Sequence, residues 1–224
     1  MVEITPIGIP KLDQILGGGL PKGSIVVVAG CPGSGKTLLA AKFIYEGATV
    51  YGERGVYTCL TEPKDVFIRT MKLYGWDFEE LENDRRVEVL DLSIGTELDS
   101  QSALNKITMT LNKVNAERFV IDSITALSVS LKDASLKRHM IRLLYRILRK
   151  MNCTSLFILE TPLNYSSFGS TMEEFIADGI IHLNQHYNDG GNLVRTLRVF
   201  KMRGVMHGTK TYEYRITDKG VELL

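Results

Sequence analysis

No apolar run in this 224-residue chain approaches the ~18 residues needed to span a membrane. The opening Met1-Val2-Glu3-Ile4-Thr5-Pro6 lacks the basic and apolar regions of a signal peptide. Cysteine is scarce. Cys31, Cys59 and Cys153 stand far apart and no C-x-x-C occurs, which argues against a zinc site or a disulfide framework and for a reducing cytoplasm. Charge of one sign is missing as well: the formal net charge is +1, with no basic tail and no separate DNA-binding domain. What remains is ordinary for a soluble globular protein, with a hydrophobic fraction of 44%. The length fits one large α/β domain over residues 1–224.

Against this background one stretch stands out. Gly30-Cys31-Pro32-Gly33-Ser34-Gly35-Lys36-Thr37 follows the apolar run Ile25–Ala29 and precedes Leu38-Leu39-Ala40-Ala41. The eight residues fit G-x-x-x-x-G-K-[ST], the Walker A phosphate loop, in its strand–loop–helix setting. Gly30, Gly33 and Gly35 permit backbone angles closed to other residues. Their turn can aim successive N–H groups at a phosphate chain, joined by the free N–H groups opening the next helix. Lys36 then neutralises the β- and γ-phosphates, and the Thr37 hydroxyl ligates Mg²⁺. Cys31, inside the loop, reads as a small filler, with a redox switch as the alternative.

Along the chain, Pro10 opens a short helix through Leu16, which Gly17-Gly18-Gly19 stops and Leu20–Gly23 turns into the first core strand. The phosphate-loop helix ends near Gly47. Strand Gly55–Leu60 runs into Thr61-Glu62-Pro63, and a helix follows over about 64–74. Gly75–Leu81 is acidic and amphipathic and reads as a solvated surface piece. Val87–Asp91 is a strand. Leu104, Ile107, Leu111 and Val114 mark a helix face within 102–115. Arg118–Ser123 is a short apolar run ending in acid, a buried parallel strand with Asp122 at its carboxyl end. Downstream of a Walker A loop this is the Walker B pattern, and Asp122 holds the Mg²⁺ water shell. Lys137–Met151 is a basic amphipathic helix whose arginines read as a solvated or intersubunit face, with nucleic-acid binding as the alternative. Thr154–Glu160 is a further strand. Three β segments, 179–183, 194–201 and 212–216, close the chain, with a hairpin signal at 188–192.

Alternating strands and helices imply an α/β fold with a mostly parallel sheet covered on both faces and the ligand at the strands' carboxyl ends. The phosphate loop, Glu62, Asp122 and Glu160 all fall at such ends. His182 and His186 imitate helical metal ligands. They lie in strand sequence, where four residues span about 13 Å, too far for one zinc ion.

With both Walker patterns placed, the chain resembles the KaiC-type branch of the RecA-fold P-loop ATPases over nearly its full length. The likeness runs from Gly8-Ile9-Pro10-Lys11-Leu12-Asp13 through the phosphate loop and Val120–Leu127 to Lys201-Met202-Arg203-Gly204-Val205-Met206-His207 and Ile216–Gly220. The resemblance implies a RecA-like fold with a C-terminal antiparallel β extension, ATP and Mg²⁺ as cofactors, and a homo-oligomer, ring or filament, with a hexamer expected. It implies that Lys201 and Arg203 reach the nucleotide of an adjacent subunit, and that His207 and Asp218 line that shared site. Two departures accompany it. Paired glutamates are usual after the second strand, and here the pair reads Thr61-Glu62, so Glu62 is left to orient water. In the family's two-domain clock member, one half carries adjacent Ser-Thr phosphosites before its late strand; the matching positions here are Glu174 and Phe175, which the resemblance reads as pointing away from an autokinase.

Three readings follow. The first is an ATPase using Lys36, Thr37, Asp122 and Glu62, with Lys201 and Arg203 acting on the neighbour's γ-phosphate. The second is a recombinase-like accessory binding single-stranded DNA through residues 127–135 and 162–171, with Tyr165 and Phe168 stacking on bases. The third is a non-hydrolytic switch, supported by Thr61.

Overall fold

The computed structural model describes residues 3–93, 100–126, 134–163 and 176–224. Its centre is a nine-stranded sheet in the order β11-β10-β9-β8-β3-β7-β6-β4-β5. The strands are β3 (Ile25–Gly30), β4 (Gly55–Cys59), β5 (Val87–Asp91), β6 (Arg118–Asp122), β7 (Thr154–Glu160), β8 (Gly179–Tyr187), β9 (Leu193–Met202), β10 (Thr211–Thr217) and β11 (Gly220–Leu223). From β3 to β8 every pairing is parallel. β9, β10 and β11 add an antiparallel extension. This is the expected α/β architecture.

The period of two along β3 builds the two covering layers. Val26 and Val28 face one, with helices α1 (Pro10–Ile15), α2 (Lys36–Val50), α3 (Lys64–Lys72) and α4 (Phe78–Asn83). Ile25, Val27 and Ala29 face the other, with α5 (Ser100–Val114) and α6 (Ala134–Lys150). Every residue of β3 is buried, as a strand covered on both faces requires. The buried stripe of α6 is Met140, Ile141, Leu144 and Leu148; Arg138, Arg142 and Arg146 are exposed.

Four details differ from the sequence reading. Leu20–Pro21 is not merely a turn: as β2 it pairs antiparallel with β1 (Ile4–Thr5). β11 is a strand where none was read. Gly75–Leu81 is not a surface piece, since Trp76, Phe78 and Leu81 lie in the core. The Trp76 and Phe78 rings pack against Tyr45, Tyr74 and Phe67 with centroids 5.0–6.1 Å apart. The acidic residues between them, Glu79 and Glu80, face outward from the same short helix. Finally, α2 does not end near Gly47 but passes through it to Val50. A Cβ at Gly47 would lie 2.4 Å from Arg118 Cδ, so this glycine makes room for a side chain. Arg118 is fully buried there, paired with Glu53, donating to Pro6 O and Phe43 O, and stacked 4.6 Å from the Phe43 ring.

Candidate nucleotide site

The phosphate loop leaves β3 at the carboxyl edge of the parallel sheet and opens directly into α2. Gly33 and Gly35 have φ of +76° and +86°, so two of the three glycines meet the left-handed requirement. Gly30 does not; it needs space instead. A Cβ there would lie 2.5 Å from Leu183 O and 2.7 Å from Ser34 Oγ. The loop is held by its own polar groups and by its neighbours. Ser34 Oγ donates to Cys31 O at 2.8 Å, and Lys36 Nζ to the same oxygen at 2.9 Å. Gln185 Nε2 of β8 donates to Pro32 O, and from the antiparallel extension Tyr214 Oη donates to Ser34 O. Cys31 is buried, as are Cys59 and Cys153. Leu38 packs in the first turn of α2.

Asp122 ends β6 two strands away. Its Oδ2 accepts from Thr37 Oγ1 at 2.8 Å and from Tyr57 Oη at 2.7 Å. Burial raises the Asp122 carboxyl, against the pull of those two hydrogen bonds and the Lys36 charge. Burial likewise lowers the Lys36 amine, and the carboxylates of Glu160 and Asp122 pull it back. Glu62 follows β4 on the same edge. Burial first, then the Asp122 charge, raises its carboxyl above the ordinary range. Glu160 ends β7 beside Gly30. The sheet therefore brings Lys36, Thr37, Asp122, Glu62 and Glu160 to one edge.

It does not bring Lys201, Arg203 and His207 there. Lys201 pairs with Ile180, which pairs with Val27, three residues before Gly30. At about 3.3 Å per residue this is roughly 10 Å short of the loop's start. Arg203 stands further back: its N–H bonds Asp178 O, and the Asp178 N–H bonds Ile25 O at the start of β3. Lys201 Nζ donates to Ala177 O, and Arg203 lies 3.8 Å from the Asp178 carboxylate. Burial, then the adjacent Arg203 charge, lowers the Lys201 amine. His207 is in the loop leaving β9, where Gly208 N–H bonds Ile15 O at the end of α1. Asp218 behaves differently. It sits in the β10–β11 turn, two residues past Ile216, whose Cδ1 would be 3.1 Å from a Cβ on Gly35. The turn carrying Asp218 thus lies on the same edge as its own chain's loop, opposite Lys201 and Arg203.

Residues 5–224 match the family described as "ATPase: KaiC". The chain belongs to the KaiC ATPase family. A UPF0273 protein of Thermotoga maritima is 33% identical, with 99% of this chain and 96% of that protein covered. The circadian clock oscillator protein KaiC of a Nostoc species is 30% identical over 99% of this chain. This chain spans 44% of that longer protein. Among solved structures, a KaiC-like protein of the archaeon Pyrococcus horikoshii matches with a TM-score of 0.90 and 34% identity, covering 100% of both chains. Family membership makes this a nucleotide-binding P-loop ATPase domain with the RecA-like fold.

Three contributors to the site were not read from the sequence. Tyr57 and Tyr214 looked like strand residues, and Gln185 had no motif to mark it. Only Tyr57 carried a usable signal, a phenol hydroxyl in the middle of a strand that is buried throughout. Of the expected DNA-contacting segments 127–135 and 162–171, residues 127–133 and 164–171, with Tyr165 and Phe168, lie outside the described residues, as do Glu174 and Phe175. His182 and His186 both lie on β8, in extended backbone. Among the described residues no helix is long and apolar enough to cross a membrane.

Proposed function

We propose that this KaiC-family chain is one domain that binds ATP with Mg²⁺ and hydrolyses it at a site completed by a second copy of itself. The observation that carries the reading is the placement of the cations. Lys36 lies in the loop at one edge of the sheet, while Lys201 and Arg203 lie at the other, so within one copy they do not share a phosphate chain. A head-to-tail neighbour presents the one edge to the other, which generates a ring or filament.

The donors suit Mg²⁺: a hydroxyl and a carboxylate oxygen 2.8 Å apart, beside a loop of inward backbone N–H groups. Bound there, the ion offsets charge on the phosphate oxygens. Thr37 and Asp122 hold it. Lys36 releases Cys31 O to meet phosphate, a short swing because both lie within the loop. Glu62 orients the attacking water and takes its proton. Lys201 and Arg203 of one copy stabilise the transferring phosphoryl at the next, an effect worth about 10³–10⁵ in rate where it has been measured. His207 is proposed to join them from the same side, and Asp218 to line the nucleotide from the loop's own side.

Light scattering with and without ATP, paired with phosphate release, tests this reading. ATP is expected to favour a multi-subunit particle that releases phosphate. A particle that stays solitary while hydrolysing at full rate would contradict it, and tight ATP binding with no phosphate over hours would favour the switch reading that Thr61 suggests.

A further inference from the structure

Tyr57 is the one polar side chain in the described core that touches the carboxylate of Asp122 without belonging to either nucleotide motif. It sits mid-strand in β4, fully buried. β4 pairs in parallel with β6, with Tyr57 beside Val120 and Cys59 beside Asp122. The Tyr57 ring therefore starts two residues below Asp122 and leans along the strand to reach it. The ring stacks on Phe67 of α3, centroids 4.2 Å apart and planes 26° from parallel. For packing alone a phenylalanine would serve, because the ring makes these contacts. The hydroxyl adds one thing, the 2.7 Å bond to Asp122 Oδ2. A hydroxyl is poorly tolerated in a closed core unless it is partnered, and here its partner is the carboxylate at the proposed metal site.

The same oxygen also accepts from Thr37. In the nucleotide-bound reading Thr37 turns its hydroxyl oxygen to the metal, and its bond to Asp122 is then shared or given up. Tyr57 is not a ligand, so the metal makes no demand on its hydroxyl and its bond to Asp122 persists. It fixes the rotation of the carboxylate through Oδ2, and Oδ1 accepts no hydrogen bond among the described residues.

We propose that Tyr57 is a positioning residue for Asp122, which sets the affinity of the nucleotide site for its divalent cation. Hydrogen-bond partners behind metal-site groups typically change metal affinity 10–100-fold when removed. The proposal rests on the Mg²⁺–nucleotide reading above, and the test separates the two. The measurement is binding of a fluorescent ATP analogue as Mg²⁺ is titrated, with a parallel series in EDTA. For Tyr57→Phe, the Mg²⁺ midpoint is expected to rise about 10-fold, while EDTA binding and the melting temperature stay close to the parent's. Phe67→Leu is the companion variant: it loosens the stack and keeps the hydroxyl. It is expected to lower the melting temperature and leave the Mg²⁺ midpoint in place. An unchanged midpoint in Tyr57→Phe would overturn the proposal and leave the nucleotide reading standing. So would an equal shift in Phe67→Leu, which would assign the effect to packing. If the parent's binding shows no Mg²⁺ dependence, both fall.

Discussion

Two side chains carry the sharpest consequences at the scale of single residues. Glu62 is proposed to act as base with its carboxyl raised by burial and by the Asp122 charge. A base must be ionised, so turnover should fall on acidification at a pH above the ~4.3 of an ordinary glutamate. In Glu62→Gln, ATP binding should persist, turnover should drop about 10²–10⁴-fold, and that acid limb should vanish. Phosphate release across a pH series checks all three. Gly47 gives a test of sign. Glycine to alanine inside a helix ordinarily gains about 1 kcal/mol. Here the new Cβ meets Arg118, whose guanidinium is fixed by Glu53, Pro6 O and Phe43 O. Gly47→Ala should therefore lose about 1–3 kcal/mol through overpacking, read as a lower melting temperature; a higher one would contradict the packing account.

Among the elements, α4 separates what pattern reveals from what it hides. Phe78 is fully buried and packs edge-on to Phe67, 5.0 Å between centroids. Phe78→Ala should cost about 3–5 kcal/mol, measured as a shift of the denaturation midpoint, where a surface position would show almost none. The sequence made 75–81 look solvated because Glu79 and Glu80 dominate a six-residue helix. So short a helix shows too few turns for its apolar face to repeat. The parallel core was legible for the opposite reason: Ile25–Ala29, Arg118–Asp122 and Thr154–Glu160 are apolar runs ending at chemistry-bearing residues. β1 and β2 were not legible. Two-residue strands have no period, and their pairing depends on Lys22 N–H reaching Glu3 O across the chain. Lys36, Thr37 and Asp122 could be read as one site because loop and strand-end motifs fix position along a sheet. Tyr214 and Gln185 could not, because their contacts with the loop arise only when β8 and the antiparallel extension beyond it fold against β3.

For the whole molecule, the sheet acts as a spacer with opposite chemistry at its two edges. The carboxyl edge carries Lys36, Thr37, Asp122 and Glu62; the amino edge carries Lys201 and Arg203 at the end of β9. In the proposed assembly, copies stacked head to tail would place one edge against the other, and turnover would then belong to the interface rather than to the chain. The most direct measurement is a mixing experiment. Lys36→Ala should not bind ATP, and Arg203→Ala should bind it but turn over slowly. Mixed in equal amounts, they form some interfaces with an intact loop on one side and an intact arginine on the other. For random head-to-tail assembly that is about a quarter of all interfaces. Phosphate release by the mixture should recover to about a quarter of the parental rate, far above either variant alone. A mixture no more active than the average of its two components would contradict the shared site.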